Sequence, residues 1–160
     1  MSSLPDPPAL RDATTIAMRI ARDEAAADAA REAYRREGLP LLEAGAELVS
    51  LLEPDEQLHA VHPMAMLERG TSDGPGAPLP RGGVLLVTSQ RLIHRGAAIA
   101  EWPLADLVEL SVALERLLLV RLDGGDDLAI EVDGPRLLRV QLAAAMAALR
   151  AEAVAERIGA

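Results

Sequence analysis

From residue 57 to residue 132 apolar and polar side chains alternate with a period of two, and this pattern restricts the fold more than any other feature of the chain. Val108, Leu110, Val112 and Leu114 point one way while Glu109, Ser111, Ala113 and Glu115 point the other; Leu128, Ile130 and Val132 oppose Ala129, Glu131 and Asp133. Such alternation belongs to antiparallel strands with one face buried and one solvated. Segments 57–68, 84–88, 91–95, 98–102, 108–115, 117–122 and 127–132 give seven short strands. The run Asp123-Gly124-Gly125-Asp126-Asp127 is a hairpin turn, since glycine tolerates a positive φ there. A sheet of this many short strands hides its edges by closing into a barrel or sandwich.

Helical sequence flanks the strands, so the fold class is α+β. Residues 8–37 follow Pro7 and Pro8, carry Ala, Arg and Glu through their interior and stop at Gly38-Leu39-Pro40. Residues 39–53 place Leu41, Leu42, Leu48, Val49 and Leu52 at helical spacing, which predicts a second helix packed on the sheet. Residues 135–158 form a last helix, with Pro135 at its first position and Gly134 or Asp133 as its cap. The expected organisation is an N-terminal helical extension over 1–52, then a barrel with its C-terminal helix over 53–160.

This core must be filled without rings. The chain has no Phe, one Tyr (Tyr34) and one Trp (Trp102), so Leu, Val, Ile, Ala and Met supply the volume. Packing depends on volume and shape, and such a core reaches native density. The absence of Cys removes disulfides, thiolate nucleophiles and Cys-ligated zinc. The start Met-Ser-Ser-Leu-Pro-Asp lacks a signal-peptide pattern and no long uncharged apolar run occurs, which predicts a cytoplasmic protein. All 16 basic residues are Arg, and the formal net charge is −9. Acidity with so few rings argues against nucleic acid as a partner, and disfavours an anionic membrane surface.

The stretch Gly82-Gly83-Val84-Leu85-Leu86-Val87-Thr88-Ser89-Gln90-Arg91-Leu92-Ile93-His94-Arg95-Gly96 reads as an apolar strand ending in Thr, a polar turn, and a strand restarting at Arg-Leu. With Leu51-Leu52-Glu53-Pro54-Asp55-Glu56 before it, a Leu-Leu-x-x-x-Glu lead-in, and Glu101-Trp102-Pro103-Leu104 after it, it resembles the bacterial pleckstrin-homology-like (PH-like) domains, relatives of GRAM domains. The resemblance covers about residues 48–150. It implies a seven-stranded barrel capped by a C-terminal helix, acting as a non-catalytic binding scaffold. In eukaryotic pleckstrin-homology domains basic residues near the first hairpin hold lipid phosphates, and the corresponding candidates here are Arg69, Arg81, Arg91 and Arg95. Residues 53–132 hold 13 acidic and 6 basic residues, so those arginines sit in an unfavourable field.

Other chemistry is sparse. His59 and His62 are three apart, which on a strand puts them on opposite faces; no metal is expected there unless the strand bulges. His94 reads as a surface or rim histidine, and Trp102 as packing at the barrel edge. Asp123, Asp126 and Asp127 lack the register of a calcium loop, and neither a nucleophile elbow nor a phosphate loop occurs. No cofactor is expected.

The two long helices carry more information. On the last one, Leu138, Leu142, Ala145 and Leu149 plug the barrel, while Val140, Ala144, Ala147, Ala151, Val154 and Ile158 form a second seam with spacings of 4 and 3. The first helix has the matching seam Ala9, Ala13, Ile16, Ile20, Asp23, Ala27, Ala30 and Tyr34, interrupted only by Asp23. Sustained heptads look for helix partners, so these seams are expected to pack together within one chain or between two. Arg136, Arg139, Arg150 and Arg157 flank the second seam; the N-terminal region 1–52 holds 9 acidic and 6 basic residues, so this stripe is expected to meet Asp or Glu of the first helix. The function that follows is protein binding or self-assembly, with lipid or membrane-surface binding as the alternative.

Overall fold

A computed structural model describes residues 7–69, 83–125 and 127–159. Helix α1 spans Pro7–Glu37 and a single helical turn, α2, spans Ala46–Val49. Strands follow as β1 Leu58–Arg69, β2 Gly83–Thr88, β3 Arg91–Arg95, β4 Ile99–Pro103, β5 Leu107–Ala113, β6 Leu117–Leu122 and β7 Leu128–Glu131. A 3-10 turn, Leu104–Asp106, links β4 to β5, and α3 runs Pro135–Gly159. The fold is α+β: one antiparallel sheet in the order β4-β3-β2-β1-β7-β6-β5 with a helix before it and a helix after it. Strand periodicity thus located all seven strands to within two residues at each end.

Strand β1 joins the two halves of the sheet. Its first part pairs with β2 from Leu58↔Thr88 to Ala65↔Gly83, and its last part pairs with β7 from Met66↔Glu131 to Arg69↔Leu128. Irregularities between Leu58 and Ala60 and between His62 and Ala65 mark this strand, as bulges commonly do where a strand must bend. The sheet is open between β4 and β5, which carry its two edges. Into the enclosed face α3 lays Leu138, Leu142 and Ala145, all buried against Leu85, Val87, Leu92, Leu118, Val120 and Ile130. Trp102 packs at the margin of this core, where the sequence placed it.

On the outer face of β1–β3 a smaller cluster of Leu58, Leu86 and Ile93 is covered by Ala44, Leu48, Leu51 and Leu52. The second helix expected over residues 39–53 is reduced there to Ala46–Val49. Pro40 cannot donate in a helix, Gly45 stands outside the helical turn, and Leu42 instead makes a β-bridge in which its N–H donates to Leu58 O at 2.8 Å. Leu48 and Leu52 do reach the sheet, whereas Leu41 and Val49 are exposed.

The β5 strand also ends earlier than its alternation suggested. Ala113 pairs with Leu117, so only Leu114 and Glu115 plus Arg116 turn the chain, and the two central residues take φ values of 51° and 58°. The N–H of Arg116 donates to Ala113 O at 3.3 Å, and a turn with the left-handed region at both centres is normally met by Asn or Gly. Here Leu and Glu hold it, at a strain of about 1–2 kcal/mol per residue.

Candidate functional site

Asp23 explains the gap in the first seam. Its side chain is nearly buried, and Oδ2 accepts from the backbone N–H of Arg136 at 2.9 Å while Oδ1 accepts from that of Leu137 at 3.0 Å. These are free donors at the start of α3, where the helix dipole also favours negative charge. The cap therefore comes from α1 and not, as expected, from Gly134 or Asp133. Gly134 accepts the first helical bond, from Leu138 N–H, but has no side chain; a Cβ there would lie 3.0 Å from Asp23 Oδ1. One carboxylate in place of an apolar residue thus fixes the register of two helices 113 positions apart in sequence.

Arg136 completes this junction. Its guanidinium hydrogen-bonds Glu115 on the strained turn and stands 3.7 Å from Asp23 and 3.8 Å from Glu24. Hydrogen bonding to Glu115 raises its pKa, against the opposing effect of burial. The expected meeting of the arginine stripe with acidic residues of α1 is met at Arg136; Arg139, Arg150 and Arg157 make no ion pair among the described residues.

Further along, Tyr34 of α1 is hydrogen-bonded to Gln141 of α3, and His62 Nε2 donates to Gln141 Oε1 at 2.5 Å. Burial lowers the His62 pKa, although the Gln141 bond and the charge of Asp23 pull the other way. Burial raises that of Tyr34. Since residue 23 meets the first turn of α3 and residue 34 its second, the helices run in the same direction. The two helices pack together within one chain; along the seams Ala27 and Val140 are buried, and Ala30, Tyr34 and Ala144 are half-buried. Pairing stops there: Ala147 and Ala151 are exposed, as are Val154 and Ile158 at 53% and 79%, and at the opposite end Ile16 at 46%. Ile20 is half-buried at the boundary.

The arginines proposed from the strand region have a different setting. Arg91 Nε and Nη2 donate to the two oxygens of Glu56 at 3.0 and 2.5 Å, Nη2 also to Leu51 O at 2.9 Å, and Nη1 to Glu101 at 2.5 Å. Thr88 Oγ1 donates to Glu56 at 2.5 Å and accepts from the N–H of Arg91 at 2.8 Å, closing the turn. Burial works to raise the Glu56 pKa, but the bonds from Arg91 and Thr88 outweigh it and hold the carboxyl below its usual range. The Leu-Leu-x-x-x-Glu lead-in and the Thr-x-x-Arg turn are two halves of one internal lock. Arg91 is therefore a structural residue here, correcting its assignment to anion binding. Arg95 stands 3.7 Å from Glu47 and is partly exposed. Arg81 lies outside the described residues, as does the side chain of Arg69, so nothing brings these four together.

The histidines are structural as well. His59 Nδ1 donates to Pro40 O at 2.9 Å, tying the linker to β1, while His62 faces α3; the bulged strand does not bring them to one site. His94 is buried, not at the rim as expected, and Nε2 donates to Ala65 O at 2.9 Å. It reaches that carbonyl by crossing Gly83, where a Cβ would come within 2.2 Å of the ring. Sequence reasoning noted the Asp23 interruption without reading it as a cap, and it did not single out Gln141.

No protein-family model and no curated protein matches the chain. Among solved structures it is similar to the C-terminal domain of an unknown protein from Leishmania infantum, at 16% identity over 62% of this chain and 91% of that one, with a TM-score of 0.46. Among the described residues no helix is long and apolar enough to cross a membrane.

Proposed function

We propose that the chain is a non-catalytic PH-like module that binds protein, and that its preferred partner is a second copy of itself. The PH-like reading is supported by a seven-stranded antiparallel meander opened between β4 and β5, with α3 packed into it. The observation that carries the interaction reading is the incomplete pairing of the helix seams. Within the chain they cover each other only from Ala27 to Tyr34 and from Val140 to Ala144, leaving Ile16 on α1 and Val154 and Ile158 on α3 uncovered. Those uncovered stretches continue the same two seams, so the α3 end of one copy is complementary to the α1 start of another. Lipid binding through Arg69, Arg81, Arg91 and Arg95 draws less support, because Arg91 is already saturated by its own chain.

The test is solution mass by light scattering across a dilution series, for the native protein and for the double substitution Val154→Glu, Ile158→Glu. The native protein is expected to exceed the monomer mass and dissociate on dilution, and the variant to remain monomeric at every concentration. A native protein that is monomeric throughout overturns the self-association reading.

A further inference from the structure

Beside the seam pairing, α1 and α3 diverge into a cleft of about 400 Å³. It is lined by Arg31, Tyr34, Arg35, Arg139, Val140 and Ala144, and among the described residues no Asp or Glu lines it. That is unusual ground in a chain of 25 acidic and 16 basic residues. Arg31 is held by Asp28 at 2.7 Å, which leaves its positive charge partly offset. Among the described residues Arg35 and Arg139 have no ion-pair partner.

We infer that this cleft is a binding site for a phosphate monoester, gripped by Arg35 and Arg139 with Arg31 behind them. Two unpaired guanidiniums and a third partly neutralised one match the double charge of a phosphate monoester better than the single charge of a carboxylate. The planar fork of arginine fits phosphate oxygens in pairs. An organic group attached to the phosphate would lie on Val140 and Ala144, beside the Tyr34 ring. The volume is in the range of small-molecule sites, roughly 300 to 1,000 Å³. The net charge of −9 opposes anions over the whole surface, so recognition here rests on direct contact with the guanidiniums. The phosphate could be that of a soluble ester or of a lipid headgroup, and the chemistry of recognition is the same.

The full chain carries its own reporter. It has one Tyr, one Trp and no Phe, so the Tyr34 ring resonances can be followed by proton NMR with Trp102 as internal reference. Titration with phenyl phosphate is expected to shift the Tyr34 signals saturably, at lower concentration than benzoate does. Arg35→Gln with Arg139→Gln is expected to weaken binding about tenfold or more, as the loss of charge-assisted hydrogen bonds requires. The pair Arg150→Gln, Arg157→Gln removes the same charge from α3 residues that do not line the cleft and should leave affinity within about twofold, since charges beyond contact are screened. Vesicles containing phosphatidic acid separate the sources: sedimentation that depends on Arg35 and Arg139 assigns the phosphate to a headgroup, and binding of phenyl phosphate without sedimentation assigns it to a soluble ester. No saturable Tyr34 shift together with no vesicle binding overturns the inference, as does equal weakening in both double variants.

Discussion

The β2–β3 hairpin and the α1–α3 layer both present arginines, yet they use them in opposite ways. At the hairpin Arg91 is largely buried, each of its three guanidinium nitrogens donates within the chain, and its partner Glu56 has no exposed side-chain surface. Along the helices Arg35 and Arg139 line an open cleft, with no carboxylate partner among the described residues. In a chain whose only basic residue type is Arg, residue identity carries little functional information; what decides is whether the guanidinium is already satisfied. The hairpin is closed to ligands and holds the fold. The helix layer leaves both charge and apolar surface uncovered, and is where partners should act.

The strongest way to break this contrast is to open the hairpin lock. Glu56→Ala leaves Arg91 with Glu101 as its one carboxylate partner among the described residues and is expected to cost about 3 kcal/mol, toward the low end for a broken buried ion pair because that second carboxylate remains. Chemical denaturation measures it, and a loss under about 1 kcal/mol, the range of exposed pairs, would place Arg91 in that class instead. Gly83→Ala should cost about 1–3 kcal/mol, because the new methyl collides with the His94 ring. At the helix junction Asp23→Ala is expected to cost about 1–2 kcal/mol, the range of a lost cap, and to speed amide exchange at Arg136 and Leu137. Unchanged exchange at those two amides would remove Asp23 from the cap.

Acid should loosen the two regions at different points. His62 has a lowered pKa in the folded chain, so its contribution is present above the unfolded value of about 6.5 and is lost as pH falls from there through the native value. Glu56 is also lowered, and its contribution is present above about 4.3 and lost as pH falls through its native value. Melting temperature should therefore fall first between neutral and mildly acid pH, and His62→Gln should flatten that first decline only. The smallest stability effect belongs to Val154→Glu with Ile158→Glu, within about 0.5 kcal/mol at dilutions where the native protein is monomeric, because both sites are exposed. A large loss there would mean that the end of α3 is packed in the monomer.

Much of this architecture was legible because strand alternation depends on which face is buried, and that is written residue by residue. The turn at Leu114 and Glu115 was not, since neither residue advertises a positive φ. Residues 39–53 misled because leucines at helical spacing also fit a strap whose backbone bonds go partly to β1. The seam interruption at Asp23 was visible, but its meaning needed the start of α3 beside it. Both halves of the Glu56–Arg91 lock were visible too, 35 positions apart, and only the fold puts them in contact. Of the Arg35–Arg139 cleft only Arg139 stood out, as one of a stripe beside the second seam; Arg35 did not, because isolated arginines on helices are ordinary surface residues.

The most direct test of the account is native-state amide hydrogen exchange at low and high protein concentration, read region by region. Protection should rise with concentration around residues 11–20 of α1 and 150–159 of α3, while β2 and β3 exchange at the same slow rate throughout. Exchange at the helix ends that does not depend on concentration, or a concentration effect centred on the β2–β3 hairpin, would contradict the assignment of the helix layer as the interacting surface.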